Sequence, residues 1–271
     1  MQQHDITAPS RTHGELAALL RRAEAERSPI APLTELHDGL DLVGAYAVQD
    51  INTRLRLAAG DRLVGRKVGL TSLPMQRQLG VDEPDFGVLF QSMVIPDGGT
   101  VASGDMVAPR AEAEIAFVLG RPLGGPEVTA DEAREAVSQV VLAVEIIDSR
   151  IADWRITLAD TVADNASSAR VVVGRPVDAT PQLMAGLKDE SLELYVDGEQ
   201  AARGLGSEVL GDPIEAVAWL ARTLDRFGTG LQPGELVLAG AVHASIPLTP
   251  GTRMVARSAS GRLPELTAGI R

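Results

Sequence analysis

The chain has 271 residues, of which 45 % are hydrophobic and 23 % charged, a formal charge of −12 and no cysteine. These values exclude a disordered, collagen-like or coiled-coil chain, and the missing cysteine excludes disulfides, thiolate metal sites and cysteine nucleophiles. Residues 1–75 carry nine basic and nine acidic side chains against 16 and 28 in residues 76–271, so nucleic acid and anionic membrane are poor partners and a metal held by oxygen ligands suits the balance.

No apolar run reaches the ~20 residues that span a bilayer, and residues 1–5 lack the basic-then-apolar layout of a signal peptide, so a cytoplasmic protein is expected. Thr12 and Glu15 have capping-box spacing, with Leu16, Leu19 and Leu20 following at helical intervals. This predicts a helix to about residue 27, where Ser28-Pro29 stops it. A second helix is predicted over 44–59 and a strand over 62–70. Ser72 then caps a short helix through Pro74 to Leu79, ended by Gly80, and the glycines and Pro84 predict a loop over 80–87.

From residue 88 the texture turns to short β-like runs divided by turn signals such as Asp97-Gly98-Gly99, Gly124-Gly125-Pro126 and Asp197-Gly198. Two helices interrupt it, one after the capping-box spacing Thr129 to Glu132 and one over 213–227. The expected architecture is α+β: a small N-terminal helical region with the first strand, 1–75, packed on a β-rich catalytic domain, 76–271. Pro264 argues against a central strand over 258–266.

The segment Ala111-Glu112-Ala113-Glu114-Ile115-Ala116-Phe117-Val118-Leu119 is apolar except for two carboxylates two positions apart. On a strand, period two puts both on one face with Cα atoms roughly 6.5–7 Å apart; an exposed face carrying two glutamates is the plainer alternative. Glu145 interrupts Val140-Val141-Leu142-Ala143-Val144-Glu145-Ile146-Ile147, a run typical of a strand buried on both faces. An isolated carboxylate there costs several kcal/mol unless a cation or metal pairs it, and an arginine partner is the alternative to a metal. Three carboxylates without cysteine describe a hard-cation site for Mg²⁺ or Mn²⁺.

Lys67 is one of two lysines among 25 basic residues and sits between Gly65 and Gly69, which permit close backbone approach. The polar stretch from Asp148 to Ser168 is denser than turns need, although most of its Asp, Asn and Ser side chains are expected to bond local backbone, with one or two facing the site. His4, His13 and His37 lie away from the glutamates, and His243 is either a pocket residue or an ordinary loop histidine. The chain has no G-x-S-x-G elbow, Walker A loop, H-E-x-x-H pair or dinucleotide fingerprint.

Five separated segments resemble the 2-keto-4-pentenoate hydratase family of the fumarylacetoacetate hydrolase superfamily, in consistent order over about residues 15–255. They are Lys67-Val68-Gly69-Leu70-Thr71-Ser72, Gly80-Val81-Asp82-Glu83-Pro84-Asp85-Phe86-Gly87, Pro109-Arg110-Ala111-Glu112-Ala113-Glu114-Ile115, Glu145-Ile146-Ile147-Asp148-Ser149-Arg150-Ile151-Ala152-Asp153-Trp154 and Asp160-Thr161-Val162-Ala163-Asp164-Asn165-Ala166-Ser167-Ser168. The resemblance implies a mixed β-sandwich or roll, a divalent metal on Glu112, Glu114 and Glu145, and catalytic or substrate-orienting roles for Lys67, Asp85 and Ser167. It implies hydration of a small 2-hydroxy-dienoate, 2-hydroxypenta-2,4-dienoate, to 4-hydroxy-2-oxopentanoate in meta-cleavage catabolism of aromatic compounds. The sister activity, 4-oxalocrotonate decarboxylation on the same metal site, is the alternative, and a structural partner of such an enzyme a third reading. A homo-oligomer, with association to a sister pathway enzyme, is also implied. The family's glycine-rich last strand is replaced here by Ser258-Ala259-Ser260-Gly261-Arg262-Leu263-Pro264-Glu265-Leu266.

Overall fold

The computed structural model describes residues 11–271, apart from the side chains of Met75, Gln78 and Leu79; residues 1–5 and His4, read above from sequence, lie outside the described residues. Its helices are α1 (His13–Glu26), α2 (Leu33–Leu36), α3 (Leu42–Ala58), α4 (Leu73–Leu79), α5 (Ala130–Ala136), α6 (Leu158–Ala163), α7 (Pro181–Gly186) and α8 (Pro213–Asp225). The strands are β1 (Leu63–Gly69), β2 (Asp85–Phe90), β3 (Val94–Pro96), β4 (Thr100–Val101), β5 (Arg110–Leu119), β6 (Val137–Ile147) and β7 (Ser168–Val173). They continue with β8 (Val177–Asp178), β9 (Ser191–Val196), β10 (Glu199–Leu205), β11 (Leu236–Ala241), β12 (Ile246–Pro247), β13 (Arg253–Ser258) and β14 (Leu266–Ile270).

The capping boxes read from sequence form at α1, where Thr12 and Glu15 bond reciprocally, and at α5, where Thr129 and Glu132 do. Helix α1 ends at Arg27, whose left-handed backbone (φ 52°) turns the chain before Pro29. Helices α2, α6 and α7 were not expected from the sequence, which placed only two helices after residue 88: with 4, 6 and 6 residues they offer too little periodicity to read.

A nine-stranded mixed sheet runs β2-β1-β11-β5-β6-β7-β3, with β12 added beside β5 and β8 beside β6. A second sheet of five strands runs β10-β9-β13-β14-β4. The architecture is the expected α+β mixed-sheet type. Strand β1, from the helical N-terminal region, lies inside the large sheet between β2 and β11.

The large sheet is apolar on both faces. One carries the main core with helix-side residues such as Leu16, Val48 and Leu220, together with Ile115, Phe117, Leu142 and Val144. The other carries a smaller cluster of Leu89, Ala116, Val141, Ala143, Val171, Leu236 and Leu238. The sheet rolls because its edge strand β2 is tied to the turn preceding β7. There the Asn165 side-chain amide accepts from Val88 N–H at 2.8 Å and donates to Val88 C=O at 3.0 Å, as a neighbouring strand would.

One further expectation is revised, and the reading of Pro264 holds. Residues 85–87 are not loop, because β2 begins at Asp85 and is buried along its whole length. Gly87 belongs to that strand for a steric reason, since a Cβ there would stand 2.4 Å from the Asn165 carbonyl oxygen. Pro264 lies in the turn before β14, so its missing N–H costs no ladder bond even though β14 is flanked by β13 and β4. Ser258 and Ser260 build that turn on buried Glu190, which accepts from Ser258 Oγ at 2.9 Å and from Ser260 N–H at 3.1 Å.

Candidate active site

Register assembles the site. Directly paired residues share a face, and the pairs form an unbroken series: Glu112 with Glu145, Ala116 with Val141 and Leu238, Leu238 with Lys67, Lys67 with Gly87, and Gly69 with Asp85. Glu112, Glu114, Glu145, Lys67 and Asp85, drawn from β1, β2, β5 and β6, therefore occupy the face lined further along by the smaller apolar cluster.

Within this group one carboxylate oxygen from each of Glu112, Glu114 and Glu145 lies within 4.8 Å of the others. Oxygens about 2.1 Å from a common octahedral ion stand about 3 to 4.2 Å apart, so the spacing is that of a ligand set with little adjustment. Glu145 is fully buried near the C-terminal end of β6, and neither of its oxygens has a hydrogen-bond donor. Lys67 Nζ approaches Glu145 Oε2 at 3.3 Å as an ion pair. Glu114 Oε2 accepts from Gly240 N–H at 2.8 Å, which fixes its carboxylate plane. Asp85 Oδ1 is buried and unpartnered. A Cβ on Gly69 would meet that oxygen at 2.2 Å and Lys67 Nζ at 3.2 Å, so the glycine makes room for both.

Four carboxylates face one ammonium here, and the protonation equilibria bend accordingly. Burial, with Glu145 and Asp85 adding repulsion, pushes Glu112 up to about 7 against the opposing pull of Lys67 and Arg110. Glu114 is driven well above the usual carboxylate range by burial and by both neighbouring glutamates. Asp85 is also raised, by burial first and Glu145 second, with Lys67 opposing. For Lys67, burial disfavours the charge, but Glu145, Asp85, Glu112 and Glu114 outweigh it and hold the amine protonated far above neutrality. The excess negative charge, orphaned oxygens and all-oxygen donor set fit a divalent cation.

Most of the polar stretch 148–168 is structural, but its partners lie largely in distant segments rather than in the local backbone that was expected. Asp148 accepts from the N–H groups of Val107 (2.9 Å) and Ala108 (2.7 Å), and Asp160 from Thr34 N–H (3.0 Å) and its hydroxyl (2.9 Å). Arg150 and Asp164 form a buried ion pair at 2.6 Å. Residues 165–167 instead form a turn with three consecutive left-handed residues (φ 57°, 49° and 54°), an arrangement costly for non-glycine residues. The Ser167 hydroxyl on this turn is buried with no protein partner, and so is that of Ser168. Ser167 thus has no hydrogen bond to the glutamates or to Lys67.

His243 is neither pocket residue nor idle loop residue. Its Nε2 accepts from Ala113 N–H at 3.2 Å while Nδ1 donates to Ala244 C=O at 2.9 Å, a pattern requiring the neutral Nδ1–H tautomer. Burial lowers its pKa accordingly. It supports β5 between the two glutamates, where the β11 register slips between Leu238 and Ala241. The sequence signal was Gly240-Ala241-Val242-His243 at a strand end; the role could not be read without the slip.

Residues 56–270 match the model of the fumarylacetoacetate (FAA) hydrolase C-terminal family. The chain belongs to that family. It is 46 % identical over 239 residues to a 2-keto-4-pentenoate hydratase of Paraburkholderia xenovorans (strain LB400), covering 88 % of this chain and 87 % of that one. It is 43 % identical over 237 residues to a 2-hydroxyhexa-2,4-dienoate hydratase of Comamonas testosteroni, covering 86 % and 89 %. Among solved structures, 4-oxalocrotonate decarboxylase from Pseudomonas putida G7, complexed with magnesium and adipate, superposes with a TM-score of 0.90 at 32 % identity over 97 % of this chain and 99 % of that one. Within the wider family the chain falls in the 2-keto-4-pentenoate hydratase branch, and it is an enzyme of the hydro-lyase type.

Proposed function

We propose that the chain adds water to 2-hydroxypenta-2,4-dienoate, giving 4-hydroxy-2-oxopentanoate, in meta-cleavage catabolism of aromatic compounds. The observation that carries this reading is the burial of Lys67 and Asp85 on the face of the three-glutamate cluster, in a chain 46 % identical to a hydratase of that substrate class. Glu112, Glu114 and Glu145 would hold Mg²⁺ or Mn²⁺, which when bound supplies Lewis acidity toward the substrate carboxylate and C2 oxygen.

The side chains divide the proton work. Asp85, whose pKa burial raises, is assigned the delivery of a proton to C5 as the C2 hydroxyl loses its own. As a carboxylate it then accepts one proton from the water whose hydroxyl bonds C4, and C3 takes up a proton equivalent to the one the C2 hydroxyl released. Lys67 stays charged and is no base; it is a fixed cation that holds Glu145 and Asp85 in place and compensates their charge. The free Ser167 hydroxyl is assigned to hydrogen-bonding the substrate, which its lack of a protein partner supports. A cytoplasmic location and a homo-oligomer, with association to a sister pathway enzyme, belong to the same proposal.

Decarboxylation is the second reading, favoured by the 0.90 TM-score to the decarboxylase. Incubating Mg²⁺-loaded protein separately with 2-hydroxypenta-2,4-dienoate and 4-oxalocrotonate, with ultraviolet absorbance and product masses as readouts, decides between them. Gain of one water by the dienoate is the expected result. Release of CO₂ from oxalocrotonate with the dienoate untouched would overturn the hydratase and keep the metal site. Inertness toward both would leave the structural-partner reading, against which the complete acidic cluster argues.

A further inference from the structure

Arg110 stands two residues before Glu112 on β5, and the period of the strand puts both on one face, next to each other. Its cross-strand partner is Ile147, two residues beyond Glu145, so Arg110 continues the face bearing the acidic cluster toward the strand end. Its charge is felt at Glu112, whose pKa it lowers. No described carboxylate lies within ion-pair distance of its guanidinium, and no described group accepts a hydrogen bond from it. Its one recorded side-chain contact is stacking on the Trp154 ring, with Cζ 5.0 Å from the ring centroid.

Trp154 is itself unusual. Asp153 and Trp154 both have left-handed backbones (φ 59° and 55°), which is costly for a bulky residue. The indole Nε1 they carry is buried with no acceptor. A guanidinium two residues along the strand from Glu112, and the indole it stacks on, therefore carry hydrogen-bond donors that meet no acceptor among the described residues.

We propose that Arg110 and Trp154 form a carboxylate subsite that receives the C1 carboxylate of the 2-oxo or 2-hydroxy acid substrate and so sets the enzyme's requirement for an acid over a neutral ketone. The proposal rests on the substrate class proposed above. A guanidinium presents paired N–H groups to a carboxylate, and stacking on Trp154 holds that fork in one orientation before the substrate arrives. The uncharged far end of the substrate then lies toward Asp85 and Lys67, on the two strands farthest from Arg110 among those that build the site.

The test is calorimetric binding of saturated 2-oxopentanoate, which cannot be hydrated, and of its neutral relative 2,3-pentanedione to the Mg²⁺-loaded protein, with kcat and KM for the dienoate measured in parallel. Arg110→Gln is expected to weaken 2-oxopentanoate by roughly 10- to 100-fold, the span of a charged hydrogen bond, and to leave the diketone unchanged. Arg110→Lys restores part of the loss, and Trp154→Phe, which keeps the stack and removes the N–H, costs about fivefold. Undiminished binding of 2-oxopentanoate to Arg110→Gln overturns the subsite, as does an equal loss for acid and diketone, which would make Arg110 a support for β5. The two readings fail separately. A selective loss of acid binding in a protein that does not hydrate the dienoate keeps the subsite and removes the hydratase, while full dienoate turnover with unchanged KM in Arg110→Gln does the reverse.

Discussion

The buried ionic clusters around Arg150 and around Glu145 differ in one respect. At Arg150, the guanidinium pairs with Asp164 and donates to the carbonyls of Asp148 and Asp164, while both aspartates also accept backbone N–H groups. At Glu145, four carboxylates and one lysine share a face, and Glu145 and Asp85 keep buried oxygens with no donor. Both clusters paid desolvation on folding; the first recovers it through internal hydrogen bonds and the second does not. Saturated ionic groups fix the fold, whereas unsaturated ones mark where a cation and substrate complete the bonding.

The contrast breaks first at the saturated cluster. Arg150→Ala strands Asp164 in the interior and is expected to cost about 3–5 kcal/mol in urea unfolding; a loss under 1 kcal/mol would mean that water enters and compensates. Glu145→Gln should leave stability intact or improved, because it removes one of several crowded negative charges, yet lower Mg²⁺ affinity and turnover at least about 100-fold, more than is lost by changing a group that only orients a ligand. Full activity in that variant would remove Glu145 from the ligand set. Lys67→Arg must fit a guanidinium where Gly69 leaves space for an ammonium, and overpacking of about 1–3 kcal/mol with a roughly tenfold or larger drop in kcat is expected.

The smallest effect separates the clusters by pH. Glu112 has a folded pKa of about 7, above its ordinary 4.5, so its contribution to stability is complete below about 4.5 and disappears as pH rises through 7. Metal-free protein should therefore lose stability from this group between pH 5 and 8. Mg²⁺ favours the ionised form and should raise the melting temperature more at pH 8 than at pH 5.5. An equal shift at both pH values would contradict the assignment of Glu112 as a ligand.

Local pattern made part of this legible. The alternation around Glu112 and Glu114 and the lone carboxylate in the apolar run of β6 are period-two signals needing only the strand itself. The capping boxes of α1 and α5 are likewise complete within four residues. The glycines and proline near Asp85 misled, because they read as turn punctuation while Gly87 serves the close approach of a turn some eighty residues further along the chain. Arg110 passed unnoticed, since a charged residue opening a strand is ordinary until Trp154 is seen stacked on it.

The amino-acid sequence by itself determined the strand faces around the glutamates, the starts of α1, α4, α5 and α8 and the three-glutamate cluster, because each depends on chemistry within a few residues. Only the tertiary structure decided that β1 enters the sheet between β2 and β11, bringing Lys67, and beside it Asp85 on β2, to the glutamates. It also decided which members of the 148–168 stretch are saturated and which are left open. Both are matters of register between strands far apart in the chain, where shifting one strand by a single residue would turn its side chains to the opposite face.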